Sequence, residues 1–241
     1  MFQSQLLQQR LQTFGLSSKV DVQSSTLGPI ISMDLDKVED RFLLVGSAIG
    51  MLAVYDLEYC GNIVTPSLTN KESVSSLSSR PMHTHDHSPC QLMSPIVIVP
   101  AAPLSISHQG TISSVKWYGF DCGMFFTGGL DGNVKIWDMT MLRGSGGRIS
   151  TINDSCVHTF LLNHQVYGID SIHPSSTIHH HSSMHSLIAT ATESPFISLC
   201  DVATGTSSQI LSGHQSAVWC VCWSPINSFH LFSGGVDGRD G

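Results

Sequence analysis

Charge is scarce in this sequence. Charged residues are 12% of its 241 positions, about half the share found in an average soluble domain. Eleven lysines and arginines stand against eighteen aspartates and glutamates, a formal net charge of −7. That balance excludes a protein that tracks a nucleic-acid backbone, which needs a dense basic face to neutralise phosphates. No apolar run approaches the roughly eighteen residues that a membrane-crossing helix requires. The seven cysteines are odd in number and lie scattered among apolar residues. Without framework spacing or a signal peptide, they read as reduced thiols of an intracellular protein. No phosphate-cradling glycine loop or metalloprotease helix occurs, and Gly128-Gly129 and Gly234-Gly235 precede Asp-Gly turns rather than helices. What is present is a 41% apolar fraction, enough to build a core rather than a disordered chain.

The apolar residues recur. Ile30, Met33 and Leu35 open a first segment that closes on Gly50 and Tyr55-Asp56. Ile112, Val115 and Trp117 open a second, followed by Asp131-Gly132 and Trp137-Asp138, and Val218, Val221 and Trp223 open a third, followed by Asp237-Gly238. Leu35 to Tyr55 and Trp117 to Trp137 are both intervals of 20 residues, and Trp117 to Asp131 and Trp223 to Asp237 are both intervals of 14. A further copy lies between them, with Ile169 near its start and Cys200-Asp201 in the place of Trp137-Asp138. A fixed period of this kind is the signature of a repeat architecture.

Each copy reads as short strands. Val115 and Trp117 alternate, Met124 to Gly129 form a second run, and Asp131-Gly132 makes a hairpin turn into Val134 to Trp137. An outer strand is expected after each terminal Asp, at Ile96 to Val99, Val157 to Leu162 and Ser208 to Leu211. Four strands per repeat predict the blades of a β-propeller. Residues 60–107 are rich in serine and proline and read as an insertion beside the first blade, and residues 173–185 lengthen the third unit in the same way. Residues 4–14 differ: Leu7, Leu11 and Phe14 fall at i, i+4 and i+7, Ser4 can cap and Gly15 stops the run, which predicts a short amphipathic helix. Glutamines dominate its polar face and Arg10 is its one cation, so it suits a protein partner better than a membrane. The expected division is therefore an N-terminal extension over residues 1–28 and a partial propeller over 29–241.

His108, Thr127, Asp131 and Trp137 are residue types that form a buried chain from indole to hydroxyl to imidazole to carboxylate, and His214, Ser233 and Asp237 repeat most of it. A catalytic Ser/Thr-His-Asp reading exists for the same residues. Their repetition favours a structural lock, because buried polar groups need partners in every blade whereas an active site is not copied blade by blade. His83, His85, His87 and Cys90, and likewise His179, His180, His181 and His185, invite a zinc or copper reading. Neither set has paired Cys/His spacing, so low-complexity insertions are the better reading and no metal or cofactor is implied. Cys220 and Cys222 beside Val221 and Trp223 are expected as small core residues rather than a redox pair.

The segments GHQSAVWCVCWSP and FFTGGLDGNVKIWD, with the recurring terminal Asp, resemble WD-repeat propellers. VEDRFLLVGSAIGMLAVYDLE, SSVKWYGFDCGMFFTGGLDGNVKIWDMTML and LIATATESPFISLCDVATGTSSQILSGH further resemble the first blades of the Cockayne syndrome A family, over most of residues 30–238 outside the insertions. The resemblance implies a nuclear binding module rather than an enzyme. It would be a substrate receptor of a cullin-RING ubiquitin ligase in transcription-coupled nucleotide excision repair, holding a ligase adaptor and repair and polymerase factors without touching DNA itself. A general WD-repeat scaffold with no ligase role is the alternative. Leu7, Leu11 and Phe14 are the candidate adaptor contacts, since apolar residues at that spacing suit a groove. Two features depart from the family. The N-terminal extension is shorter, and the family's adaptor box, an Arg two residues after a Trp-Asp pair that in the family closes the fourth blade, is absent: Met139 and Thr140 follow Trp137-Asp138. Counting 20 residues from Trp223 puts the next tryptophan near position 243, so the expected fold is all-β, an incomplete WD-repeat propeller of about three and a half blades with a short N-terminal helix. Unpaired blade edges then predict an aggregation-prone or partner-dependent chain.

Overall fold

The structure, a computed structural model, describes residues 20–22, 27–58, 91–93, 95–101, 107–121, 123–143, 155–172 and 187–238. The expected helix with Leu7, Leu11 and Phe14, and both histidine clusters, lie outside the described residues. The chain divides into two compact units, residues 1–23 with 59–94 and residues 24–58 with 95–241. In the first unit β1 (Val20–Val22) pairs in parallel with β5 (Gln91–Met93).

The second unit is four antiparallel sheets laid down in chain order, an incomplete WD propeller. The first sheet holds β2 (Ile30–Leu35), β3 (Phe42–Ser47), β4 (Leu52–Asp56) and β6 (Val97–Val99). The second holds β7 (Ile112–Trp117), β8 (Met124–Gly129), β9 (Asn133–Asp138) and β10 (Cys156–Leu161). β11 (Val166–Ser171), β12 (Leu187–Thr192), β13 (Ile197–Asp201) and β14 (Thr206–Leu211) form the third, and β15 (Val218–Trp223) pairs with β16 (Leu231–Gly235) in the fourth. β6, β10 and β14 stand within two residues of the outer strands read from the sequence. A five-residue helix, α1 (Met139–Arg143), was not anticipated. It begins where Asp138 Oδ1 accepts the Thr140 backbone N–H at 2.7 Å, the role of a helix N-cap.

The core is three cores, each clamped between consecutive sheets. Leu44, Leu52, Val54 and Val99 of the first sheet meet Ile112, Val115, Trp117 and Trp137 of the second. Phe126, Val134, Ile136 and Phe160 meet Val166, Ile169 and Ile188 of the third. Ala189, Ala191, Ile197 and Leu199 then meet Val218, Val221 and Trp223 of the fourth. Tight stacking needs a gap in the second strand of each sheet. A Cβ on Gly46 would stand 2.7 Å from Ile112 and 2.8 Å from Val115, and one on Gly128 would stand 2.7 Å from Val166. These glycines admit the next sheet's inner strand, and Ala191 holds the same place in the third sheet.

One expectation about side-chain direction is corrected. Cys220 and Cys222 are exposed, not core residues. With the register slip between Val218 and Cys220, alternation along β15 buries Val218, Val221 and Trp223 and leaves the two cysteines exposed. Met33 and Leu35 open the first repeat yet are 63% and 38% exposed. Each lies on the face of β2 against which no earlier sheet packs among the described residues.

Candidate functional site

The structure brings His108, Thr127, Asp131 and Trp137 into one hydrogen-bond chain. β8 supplies Thr127 and β9 supplies Trp137, while the Asp131-Gly132 turn between them, with Gly132 at φ +78°, aims the carboxylate back at the connection that leads into β7. Trp137 Nε1 donates to Thr127 Oγ1 at 2.9 Å. Thr127 Oγ1 lies 2.7 Å from His108 Nε2. His108 Nδ1 lies 3.0 Å from Asp131 Oδ1. Donor arithmetic sets the direction. The ionised carboxylate only accepts, so Nδ1 carries the proton and Nε2 accepts from the Thr127 hydroxyl. Asp131 also accepts the backbone N–H of Gln109 at 2.9 Å and of Asn133 at 3.2 Å. Burial opposes its charge, but the bond from His108 and those backbone donors outweigh it and hold the carboxyl well below the usual range. Thr127 is fully buried and engaged on both sides. Its hydroxyl has no path to a substrate.

The fourth sheet repeats the chain. His214 Nε2 lies 2.9 Å from Ser233 Oγ, His214 Nδ1 lies 3.0 Å from Asp237 Oδ1, and Gln215 N donates to Asp237 Oδ2 at 2.7 Å. Among the described residues no indole reaches Ser233. A cavity of about 160 Å³ lies beside it, lined by Ile197, Leu211, His214, Leu231 and Ser233. The first and third sheets use other chemistry at the same positions. Val45 and Ile49 replace the hydroxyl and carboxylate in the first, with Tyr55 fully buried where Trp137 stands in the second. In the third, Thr190 turns its hydroxyl to the Ser198 carbonyl at 3.0 Å, and Cys200 takes the tryptophan's place. Burial pushes the Cys200 thiol up to about 12, so it packs as a neutral apolar group.

A second set of polar contacts joins the sheets to one another and escaped the sequence reading. Asp34 Oδ2 on β2 accepts the backbone N–H of Trp117, the last residue of β7, at 2.8 Å. Asp170 Oδ2 on β11 accepts that of Trp223, the last residue of β15, at 2.6 Å. Between them Lys116 Nζ reaches Asp170 Oδ1 at 3.1 Å. Burial lifts the Asp34 carboxyl above its ordinary value. Burial opposes the Lys116 charge, yet Asp170 and Asp34 outweigh it and raise its pKa. The signal was present in the repeat alignment: Asp34, Lys116 and Asp170 occupy the same position of three inner strands, so alternating sign there marks a sheet-to-sheet contact. Within the first sheet, Arg41 clamps Asp56 through Nε at 2.8 Å and Nη2 at 2.6 Å, a bidentate pair. Among the described residues no group of three or more histidine, cysteine or carboxylate side chains gathers as a metal site, and no helix is long and apolar enough to cross a membrane.

Repeated antiparallel sheets, one of them locked by a Trp–Thr–His–Asp chain and another by a Ser–His–Asp chain, are the architecture of WD-repeat propellers. Residues 102–138 and 205–239 match the WD domain, G-beta repeat family, and these segments contain both hydrogen-bond chains. Along 237 residues, 98% of this chain and 44% of the relative, it is 28% identical to the WD repeat-containing protein ATCSA-1 of Arabidopsis thaliana. It is 29% identical over 141 residues to Radiation-sensitive protein 28 of Saccharomyces cerevisiae, 56% of this chain and 24% of that protein. The Ribosome biogenesis protein WDR12 homolog of Drosophila persimilis is 27% identical over 136 residues, 55% of this chain and 27% of the relative. The chain spans less than half the length of these relatives. WD-repeat domains mediate contacts between proteins and generally act as scaffolds without catalysis of their own.

Proposed function

We propose that this protein is a nuclear substrate receptor of a cullin-RING ubiquitin ligase in transcription-coupled nucleotide excision repair, holding repair and polymerase factors and performing no chemistry itself. The observation that carries this reading is the similarity to ATCSA-1, which runs along 98% of the chain and is not confined to the generic repeat. It agrees with the Cockayne syndrome A-like strings read from the sequence, and a second relative is a radiation-sensitive protein by name. The interior chemistry also supports a scaffold: both His–Asp pairs are spent on blade geometry, and Thr127 is sealed from solvent.

A general WD-repeat scaffold is the second reading. It is favoured by the similarity to a ribosome biogenesis protein. Affinity-tagged chain recovered from nuclear extract separates the two. The receptor reading expects the damaged-DNA-binding adaptor and cullin in near-equal amounts with the bait, reduced by joint Leu7→Ala, Leu11→Ala and Phe14→Ala substitution. Recovery of folded bait without adaptor overturns it in favour of the scaffold.

A further inference from the structure

Three sheets fill the tryptophan position from their own third strand, with Tyr55, Trp137 and Cys200, each fully buried. In the fourth, β16 pairs with β15 and with no other strand among the described residues, and the cavity of about 160 Å³ stands at that position. Its wall matches the wall of the Trp137 site residue by residue. Trp137 stacks on Phe125, shares a core with Leu52 and Val99, and bonds Thr127, which is held in turn by His108. The cavity is lined by Leu231, Ile197, Leu211, Ser233 and His214. Strand pairing sets the correspondence. Leu52 lies opposite Val99 in the first sheet as Ile197 lies opposite Leu211 in the third. Phe125 lies opposite Trp117 as Leu231 lies opposite Trp223.

The polar end of the cavity matches too. His214 Nδ1 directs its proton to Asp237 Oδ1 at 3.0 Å, so Nε2 accepts from the Ser233 hydroxyl at 2.9 Å. That leaves the Ser233 oxygen its lone pairs, and no donor reaches them among the described residues. Thr127 in the same arrangement takes the Trp137 N–H at 2.9 Å. An apolar cavity of roughly 150 Å³ is enough to hold a benzene ring, and this one is not closed over, so a larger ring can enter. The opposite face of β16 fits the same occupant. In the second sheet Phe126 pairs with Ile136, the residue before Trp137, and is fully buried. Phe232 holds the equivalent place in β16 and is 57% exposed. Because strand side chains alternate, a strand that sets an indole toward Ser233 lays its preceding residue across Phe232.

We infer that the fourth sheet is a binding site for a tryptophan carried on an extended segment of another protein. The segment pairs antiparallel with β16, seats its indole in the cavity with the N–H donating to Ser233 Oγ, and covers Phe232 with an apolar residue. Main-chain hydrogen bonds at the strand edge supply affinity and the cavity supplies the choice of side chain. Binding of this kind needs neither the adaptor nor a repair role, so adaptor recovery and strand capture fail independently of one another.

The probe is a capped, dye-labelled peptide GNVKIWDMT, the sequence of residues 132–140, titrated into the full chain by fluorescence anisotropy, with calorimetry as a second isotherm. Alanine in place of the peptide's tryptophan should weaken binding at least tenfold, and phenylalanine or 1-methyltryptophan, which lack the N–H donor, several-fold. Ser233→Ala should bring the tryptophan peptide down to the affinity of the phenylalanine peptide and leave the phenylalanine peptide unchanged, a coupling that general damage to the sheet does not produce. Leu161→Ala, at an exposed position of β10, should alter neither. Circular dichroism checks the fold of each variant, and if Ser233→Ala does not fold, the peptide series on the unaltered chain decides alone. Absence of binding, or equal affinity for the tryptophan and alanine peptides, overturns the inference. So does an equal loss of the tryptophan and phenylalanine peptides on Ser233→Ala.

Discussion

The second and fourth sheets carry an imidazole–carboxylate chain and the first and third do not, yet all four share the same inner pair of strands with the same register slip. Where Thr127 carries a proton between Trp137 and His108, the first sheet has Val45, and where Asp131 gathers three donors it has Ile49. The third sheet fills the tryptophan position with Cys200 and spends its threonine on a local carbonyl. The polar chain is therefore one of two ways to hold a blade. It adds direction, since each group tolerates few partner geometries, and it adds liability, since every member is costly to leave alone once buried.

The largest break in that comparison is at its centre. Trp137→Ala, at a fully buried indole, should cost about 3–5 kcal/mol, whereas Cys200→Ala at the equivalent place should cost less than about 1.5 kcal/mol. Urea unfolding of both variants measures the gap, and equal losses would make the two sheets equivalent after all. Next comes Thr127→Val, nearly isosteric, which strands the Trp137 N–H and His108 Nε2 at roughly 1–3 kcal/mol. The mirror change, Val45→Thr, buries a hydroxyl and should destabilise by a similar 1–3 kcal/mol. Were Val45→Thr stabilising, the first sheet would hold a latent polar lock.

pH sharpens the contrast further. The folded state holds the Asp131 carboxyl below its ordinary value of 3.8. Its contribution to stability is thus complete above about pH 4 and is lost as pH falls below that, through the folded value. Asp131→Asn should lose on the order of 1–2 kcal/mol at neutral pH, and the difference from the unaltered protein should shrink as the urea midpoint is followed down from pH 5. Ile49→Ala should show a loss without that slope. The smallest effect belongs to the contact between sheets: Lys116→Met removes a partly exposed pair with Asp170 and should cost about 1 kcal/mol or less, fading in high salt. Salt titration of the thermal midpoint reads it, and a salt-independent loss would assign Lys116 a packing role instead.

Much of this was legible before any coordinates. The 20- and 14-residue intervals put Trp117, Asp131 and Trp137 in one repeat, and His108 and Thr127 had the donors and acceptors that such a repeat must satisfy. Local alternation also placed the outer strands β6, β10 and β14 to within two residues. Side-chain direction was harder to read. Cys220 and Cys222 sit among apolar neighbours in the sequence, and only the tertiary packing of β15 shows that Val221 is buried there and that they are exposed. The register slips were likewise hidden, because one extra residue shifts pairing without altering composition.

The sequence by itself determined the repeat, the strands inside it and the residue types of the hydrogen-bond chain, because all of these depend on periods and chemistry confined to a few tens of residues. Tertiary structure alone decided what happens between repeats. It paired Lys116 with Asp170, capped Trp117 and Trp223 with carboxylates from neighbouring sheets, and stacked Tyr167 on Trp219. The hydrogen bonds, ion pair and ring stack among them join residues 52 to 83 positions apart, and only the stacking of sheets brings such distances within reach.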